Sequence, residues 1–116
     1  MYKKIHIVLC FVGLLVLAGC NRNTKKYVIG VSQCSEDIWR NKLNDELLME
    51  TYQHKDVELI FASAKDNDKL QTEQIEKFIE RGVDLLIISP NQVHSITPVI
   101  DKAYDKGIPV ILFDRK

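Results

Sequence analysis

Two stretches of the chain follow one plan. Arg81-Gly82-Val83-Asp84 leads into Leu-Leu-Ile-Ile, and Lys106-Gly107-Ile108-Pro109 leads into Val-Ile-Leu-Phe. Each reads as a basic helix end, a glycine that stops the helix, a two-residue link and an apolar run. The two glycines lie 25 residues apart, close to the length of one helix plus one strand. A helical stripe that gives way to an unbroken apolar run is the βαβ pattern. Strands without alternation are covered on both faces, so the plan points to a parallel sheet between helices.

The other elements fit the same register. Tyr27 to Ser32 is short and β-branched and predicts strand one. Asp37 to His54 carries apolar residues at Trp39, Leu43, Leu47, Leu48 and Tyr52, which predicts an amphipathic helix with Ser35 as its N-cap. Val57 to Ala62 is strand two. Asp68 and Gln71 have the spacing of a capping box, and Leu70, Ile75, Phe78 and Ile79 form the stripe of the helix that follows. Leu85 to Ser89 is strand three. Ser95 is placed to cap a third helix, with Pro98 in its first turn and Ile96, Val99, Ile100, Ala103 and Tyr104 facing inward. Val110 to Phe113 is strand four, whose outer edge is expected to favour association if left bare. The fold class is therefore α/β, a doubly wound parallel sheet.

The length of 116 residues suits one small domain. A hydrophobic fraction of 46% and a charged fraction of 28% exclude a disordered chain and a collagen-like repeat. The net charge of zero excludes a nucleic-acid binder held by phosphate neutralisation.

The first residues read as a processing segment. Lys3 and Lys4 precede an apolar stretch from Ile5 to Leu17, and Leu17-Ala18-Gly19-Cys20 closes it with small residues before a cysteine. A basic start, a short apolar stretch and a small-residue exit describe an export signal. The stretch is shorter than the ~20 residues a membrane span needs. Leu-Ala-Gly-Cys resembles the lipobox of bacterial lipoproteins, which implies cleavage before Cys20 and lipid on its thiol; an uncleaved N-terminal anchor is the alternative. Residues 1–19 are then a lipoprotein signal peptide, 20–26 a polar tether and 27–116 the fold. Loss of Lys3 and Lys4 leaves 14 basic against 16 acidic groups. Cys34 is the one cysteine of the folded part, so no structural disulfide is expected.

Ligands of such sheets bind beyond the carboxyl ends of the strands, near the point where strand order reverses. The segments that follow the strands are Ser32 to Asp37, Ser63 to Asp66, Ser89 to Gln92 and Asp114 to Lys116, almost all hydrogen-bonding residues. None is a glycine-rich phosphate loop. Asp114 and Arg115 supply a paired acceptor and donor, as sugar hydroxyls require. Asn91 and Gln92 offer both functions on one side chain. Trp39 offers a flat ring for a C–H face. The bland alternatives are a core role for Trp39, a solvated strand end or salt bridge for Asp114-Arg115 and turn chemistry for Asn91. No Cys or His spacing suits zinc. Asp66-Asn67-Asp68 opens like a calcium loop but lacks its glycine and final Glu. No catalytic constellation is present, so neither enzyme activity nor a cofactor is expected.

These residues resemble the start of a type I periplasmic binding protein, the ribose-binding and LacI-like family. The segments carrying the resemblance are Tyr27 to Ser32, Gly82 to Pro90 and Gly107 to Arg115. Asp114-Arg115 is similar to the family's sugar-binding pair. Ser35 to Trp39 stands where the family has an Asn-Pro-aromatic-aromatic segment, here replaced in part by Glu36-Asp37. Gly30 to Arg40 with Asn44 to Leu47 resembles the periplasmic sensor domains of hybrid two-component systems. The resemblance implies sugar binding through Glu36, Trp39, Asn91, Asp114 and Arg115, and periplasmic localisation at the membrane. It also implies that the chain holds only the first part of lobe one. Three functions follow from it: input domain of a hybrid sensor kinase, substrate-binding lipoprotein of an ABC sugar importer with a permease partner, or a truncated product without ligand.

Overall fold

A computed structural model describes residues 25–114. The signal segment, Cys20 and most of the tether fall outside these residues, as does Arg115. The elements are β1 (Tyr27–Gln33), α1 (Ile38–Thr51), β2 (Val57–Ser63), α2 (Asp68–Arg81), β3 (Leu85–Ile88), α3 (Val93–Asp105) and β4 (Val110–Leu112). The strands form one parallel sheet in the order β2-β1-β3-β4. Chain direction across the sheet reverses at β1, which makes the carboxyl ends of β1 and β3 the switch point.

Alternation along the strands sends neighbouring residues to opposite faces. On one face, Leu86, Ile88, Val28, Ile60, Ala62 and Val110 meet Ile75, Phe78 and Ile79 of α2 and Ile96, Val99, Ile100 and Ala103 of α3. Val83 and Ile108, in the links after the two glycines, close the ends of this core. Gly30 is required here: a Cβ at this position would lie 2.8 Å from Phe78 Cδ2 and 3.0 Å from Leu86 Cδ2. Gly82 and Gly107 adopt φ of 72° and 75° as the helix stops that the sequence predicts.

The opposite face carries Ile29, Leu59 and Ile87, which line a cavity of about 170 Å³ with Leu47 and Thr51 from α1 and His54 from the turn after it. No residue of α1 is fully buried. Its inward stripe is Arg40, Leu43, Asn44, Leu47 and Thr51, so of the predicted stripe Leu43 and Leu47 face inward while Trp39, Leu48 and Tyr52 do not. Trp39, Leu48 and Tyr52 are exposed. The helix is turned so that polar residues enter at its first turns and leucines follow.

The cap assignments shift by one to three residues. Asp37, not Ser35, caps α1 by accepting from Arg40 N at 2.8 Å. Asn67, not Asp68, caps α2 by accepting from Leu70 N at 2.9 Å. Helix α3 begins at Val93, after Gln92, which makes no side-chain cap bond. Ser95 therefore lies inside α3 and its Oγ donates to Asp68 Oδ2 at 2.8 Å. Pro98 falls in the second turn, where it has no N–H for the His94 carbonyl. Leu70 is only half-buried and Tyr104 is exposed. β4 forms one outer edge of the sheet, with Ile111 and Leu112 exposed.

Candidate functional site

Three side-chain groups meet at the carboxyl edge of the sheet. The first lies beneath the start of α1. Gln33, at the end of β1, is buried and donates from Nε2 to Asn44 Oδ1 at 3.0 Å. Both belong to the lining of a cavity of about 280 Å³, with Ser35, Glu36, Asn41, Phe61 and Ser63. Amides, hydroxyls and one carboxylate thus surround an aromatic ring, a wall suited to hydroxylated molecules. Gln33 Oε1 and Ser63 Oγ are buried without a hydrogen-bond partner.

The second group centres on Asp114. It has a φ of 71°, a left-handed conformation that Asp tolerates better than most side chains. Its Oδ2 accepts from Arg40 Nη2 and, at 3.2 Å, from Ser89 Oγ. Ser89 is fully buried, and Cys34 Sγ lies 3.7 Å from its hydroxyl. Since the serine proton is given to Asp114, the Cys34 thiol is the donor in that contact. Cys34 is thus a buried free thiol in a polar chain.

Arg40 also donates from Nη1 to Asp37. Leaving water works against the Arg40 charge, but the hydrogen bond to Asp37 and the carboxylates of Asp37 and Asp114 outweigh it, and its pKa is raised. Asp37 is held below the usual aspartate range, chiefly by the Arg40 backbone N–H.

The third group is a knot of hydrogen bonds from α2. Gln71 is fully buried. Its Nε2 donates to Ser32 Oγ at 3.2 Å and to Ser89 O at 2.9 Å, and its Oε1 accepts from Asn91 N at 2.9 Å. One side chain thereby joins the ends of β1 and β3 to the loop that follows β3. Asn91 Nδ2 donates to Asp68 Oδ1 at 2.6 Å and to the Asp66 carbonyl at 3.2 Å.

The expected site residues are placed unequally. Asp114 and Glu36 lie at the carboxyl edge, Asp114 beside β3 and Glu36 on the rim of the polar cavity. Asn91 lies there too, with its amide nitrogen turned to Asp68. Trp39 lies on the outer surface of α1, along a groove with Lys42, Leu43 and Glu46. Arg115 is outside the described residues. Arg40, Asn44 and Gln71 were missed. Arg40 stands three and seven residues before Leu43 and Leu47, so helical spacing alone places it on the inward face. Among the described residues, no group of three or more His, Cys, Asp or Glu is arranged to hold a metal ion.

A doubly wound parallel sheet whose carboxyl edge is lined by amides, hydroxyls and ion-paired carboxylates is the α/β architecture in which small-molecule sites form at the switch point. The chain belongs to the periplasmic binding protein domain family, whose model matches residues 29–116. It is 28% identical over 113 residues to the D-xylose-binding periplasmic protein of Escherichia coli, covering 97% of this chain and 34% of that protein. It is 33% identical over 92 residues to a xylitol-binding protein of Mycolicibacterium smegmatis, covering 78% of this chain and 25% of that one. Among solved structures it resembles the fructose-binding periplasmic domain of a hybrid two-component system, at 50% identity and a TM-score of 0.75, covering 78% of this chain and 30% of that one. A solute-binding protein of an ABC transporter from Bacillus halodurans, with bound myo-inositol, gives 31% identity and a TM-score of 0.74 over 83% and 33%. The chain thus spans about a third of the length of the proteins it matches.

Proposed function

We propose that this chain forms part of a periplasmic monosaccharide-binding domain that serves as the input of a hybrid two-component sensor kinase. The observation that carries this reading is the 50% identity to a fructose-binding domain of such a system. The polar carboxyl edge supports it chemically. Asp114 accepts from a sugar hydroxyl, and Arg115 donates beside it as in the family's Asp-Arg pair. Glu36 faces the ligand from the cavity rim. Trp39, exposed in the first turn of α1 just after the carboxyl end of β1, offers a ring to a C–H face from outside the polar cavity, and Asn91 adds a polar contact from the loop after β3. The binding domain itself performs no chemistry, and the full-length protein has histidine kinase activity only if it carries the downstream domains.

Membrane attachment is part of the same proposal, through lipid on Cys20 or through an uncleaved N-terminal anchor. Leu17-Ala-Gly-Cys20 also favours a second reading, the substrate-binding lipoprotein of an ABC sugar importer, to which the xylose-binding relative lends support. A truncated product that binds no ligand is the third. Calorimetric titration of the full-length periplasmic domain with D-fructose, D-xylose and myo-inositol tests the site, and the same titration of the 116-residue chain tests the third reading. Saturable binding of one sugar supports the site, and no heat with any of them defeats it. A transmembrane segment and kinase encoded downstream identify the sensor, and a stop after a second lobe identifies the importer component. Cys20→Ala tests lipidation: the variant should remain an unprocessed precursor without attached lipid, and unchanged mass and membrane partitioning would refute the lipobox.

A further inference from the structure

Arg40 is the cation most deeply set among the ion pairs at the carboxyl edge, with 11% of its side chain exposed. It reaches across the sheet end from α1 to Asp114, a residue 74 positions later in the chain. Its own placement is fixed from two sides. Asp37 accepts from the Arg40 backbone N–H through Oδ1 and from the guanidinium through Oδ2. The cap of α1 and the anchor of the guanidinium are therefore one carboxylate.

The other end of the guanidinium determines how Asp114 is presented. Among the described residues, both donors to the Asp114 carboxylate, Arg40 and Ser89, bond Oδ2. One comes from α1 and the other from the end of β3. Two donors from different directions on one oxygen fix the rotation of the carboxylate about its last bond. Oδ1 is then held in a set direction, on a side chain that keeps 34% of its surface exposed. Without Arg40, Asp37 and Asp114 would face each other as like charges, and Ser89 alone would hold Asp114.

We infer that Arg40 is a positioning residue for sugar binding: it holds Asp114 Oδ2 so that Oδ1 receives a ligand hydroxyl, and it does so without touching the sugar. This rests on the reading of Asp114 as a hydroxyl acceptor, and it adds a residue outside the four segments that follow the strands. A rigid acceptor binds more tightly than a mobile one because less freedom is lost on association. It also discriminates between epimers, since a hydroxyl of the wrong configuration cannot draw the carboxylate after it.

The test is a double-mutant cycle on the full-length periplasmic domain, with D-fructose as the probe and calorimetry as the readout. Thermal melts of every variant set a working temperature at which all are folded. Arg40→Met should weaken binding about ten- to a hundredfold, the range for loss of a charge-assisted bond. Asp114→Asn should weaken it by a similar factor. The double variant should bind within about twofold of Asp114→Asn alone, because Arg40 acts only through that carboxylate. Arg40→Lys, which keeps the charge and loses the fork, should recover part of the loss. Losses that multiply in the double variant would overturn the inference, since Arg40 would then act independently of Asp114. Binding by Arg40→Met equal to wild type would overturn it as well. Should Arg40→Met fail to fold, the cycle is run with Arg40→Lys and read by the same criteria. Wild-type protein that binds neither D-fructose, D-xylose nor myo-inositol would defeat the sugar reading and the positioning role together. Wild-type binding with an unaffected Arg40 variant defeats the positioning role alone.

Discussion

The two faces of the sheet are built differently. The α2–α3 face is closed by apolar side chains from two helices and all four strands, with Ile75, Leu86, Ile88, Ile96 and Ala103 fully buried. The α1 face is covered by one helix without a fully buried residue, above a cavity at its leucine end and another at its polar end. Packing density is spent on one side, and polar variety is placed on the other.

Substitutions on the two faces should sharpen that contrast. Ile75→Ala or Leu86→Ala removes a fully buried side chain from the closed face and should cost about 2–5 kcal/mol in urea denaturation. Leu47→Ala, half-buried beside an existing cavity, should cost less than about 2 kcal/mol in the same assay. Equal losses would erase the distinction between the faces. Gln71→Ala should come next, at about 2 kcal/mol, because Ser32 Oγ, Ser89 O and Asn91 N all lose a partner inside the protein. Gly30→Ala should cost about 1–3 kcal/mol through the clash with Phe78 and Leu86, and Phe78→Leu in the same chain should return part of it.

The smallest effect belongs to Asp37 on the open face. Its folded-state pKa is lowered, first by the Arg40 backbone N–H. A depressed carboxylate stabilises the fold above its unfolded pKa, and that contribution is lost as pH falls through the folded value. Denaturation midpoints of wild type and Asp37→Ala should therefore differ at neutral pH and converge in acid. A gap that persists below both values would show that the side chain acts by something other than its charge.

Much of the fold was legible in the sequence. Residues that sit in two-sided burial, such as Leu85 to Ile88, announce themselves as apolar runs. Gly82 and Gly107 announce helix ends because few other residues accept a positive φ. The cap errors have a common cause. Ser35, Asp37, Asn67 and Asp68 all offer an oxygen within three residues of a helix start, and composition does not say which one is selected. Helix α1 was harder, because its inward stripe mixes Arg40 and Asn44 with leucines and so lacks the apolar signature that marks α2 and α3. Asp114 was legible as an acceptor at a strand end. Its partners Arg40 and Ser89 were not, since they come from other elements and meet it only once the strand order is known.

Gln71 has a mechanical consequence. Aliphatic contacts between a helix and a sheet resist separation, but they are tolerant of a small slide along the helix axis, because one methyl group replaces another. A side chain that bonds Ser32, Ser89 and Asn91 at once has one seating only. It acts as a dowel between helix and sheet. The loops at the carboxyl edge therefore inherit their alignment from a point inside the closed core, and thermal play in α2 is not passed on to the groups that would meet a ligand.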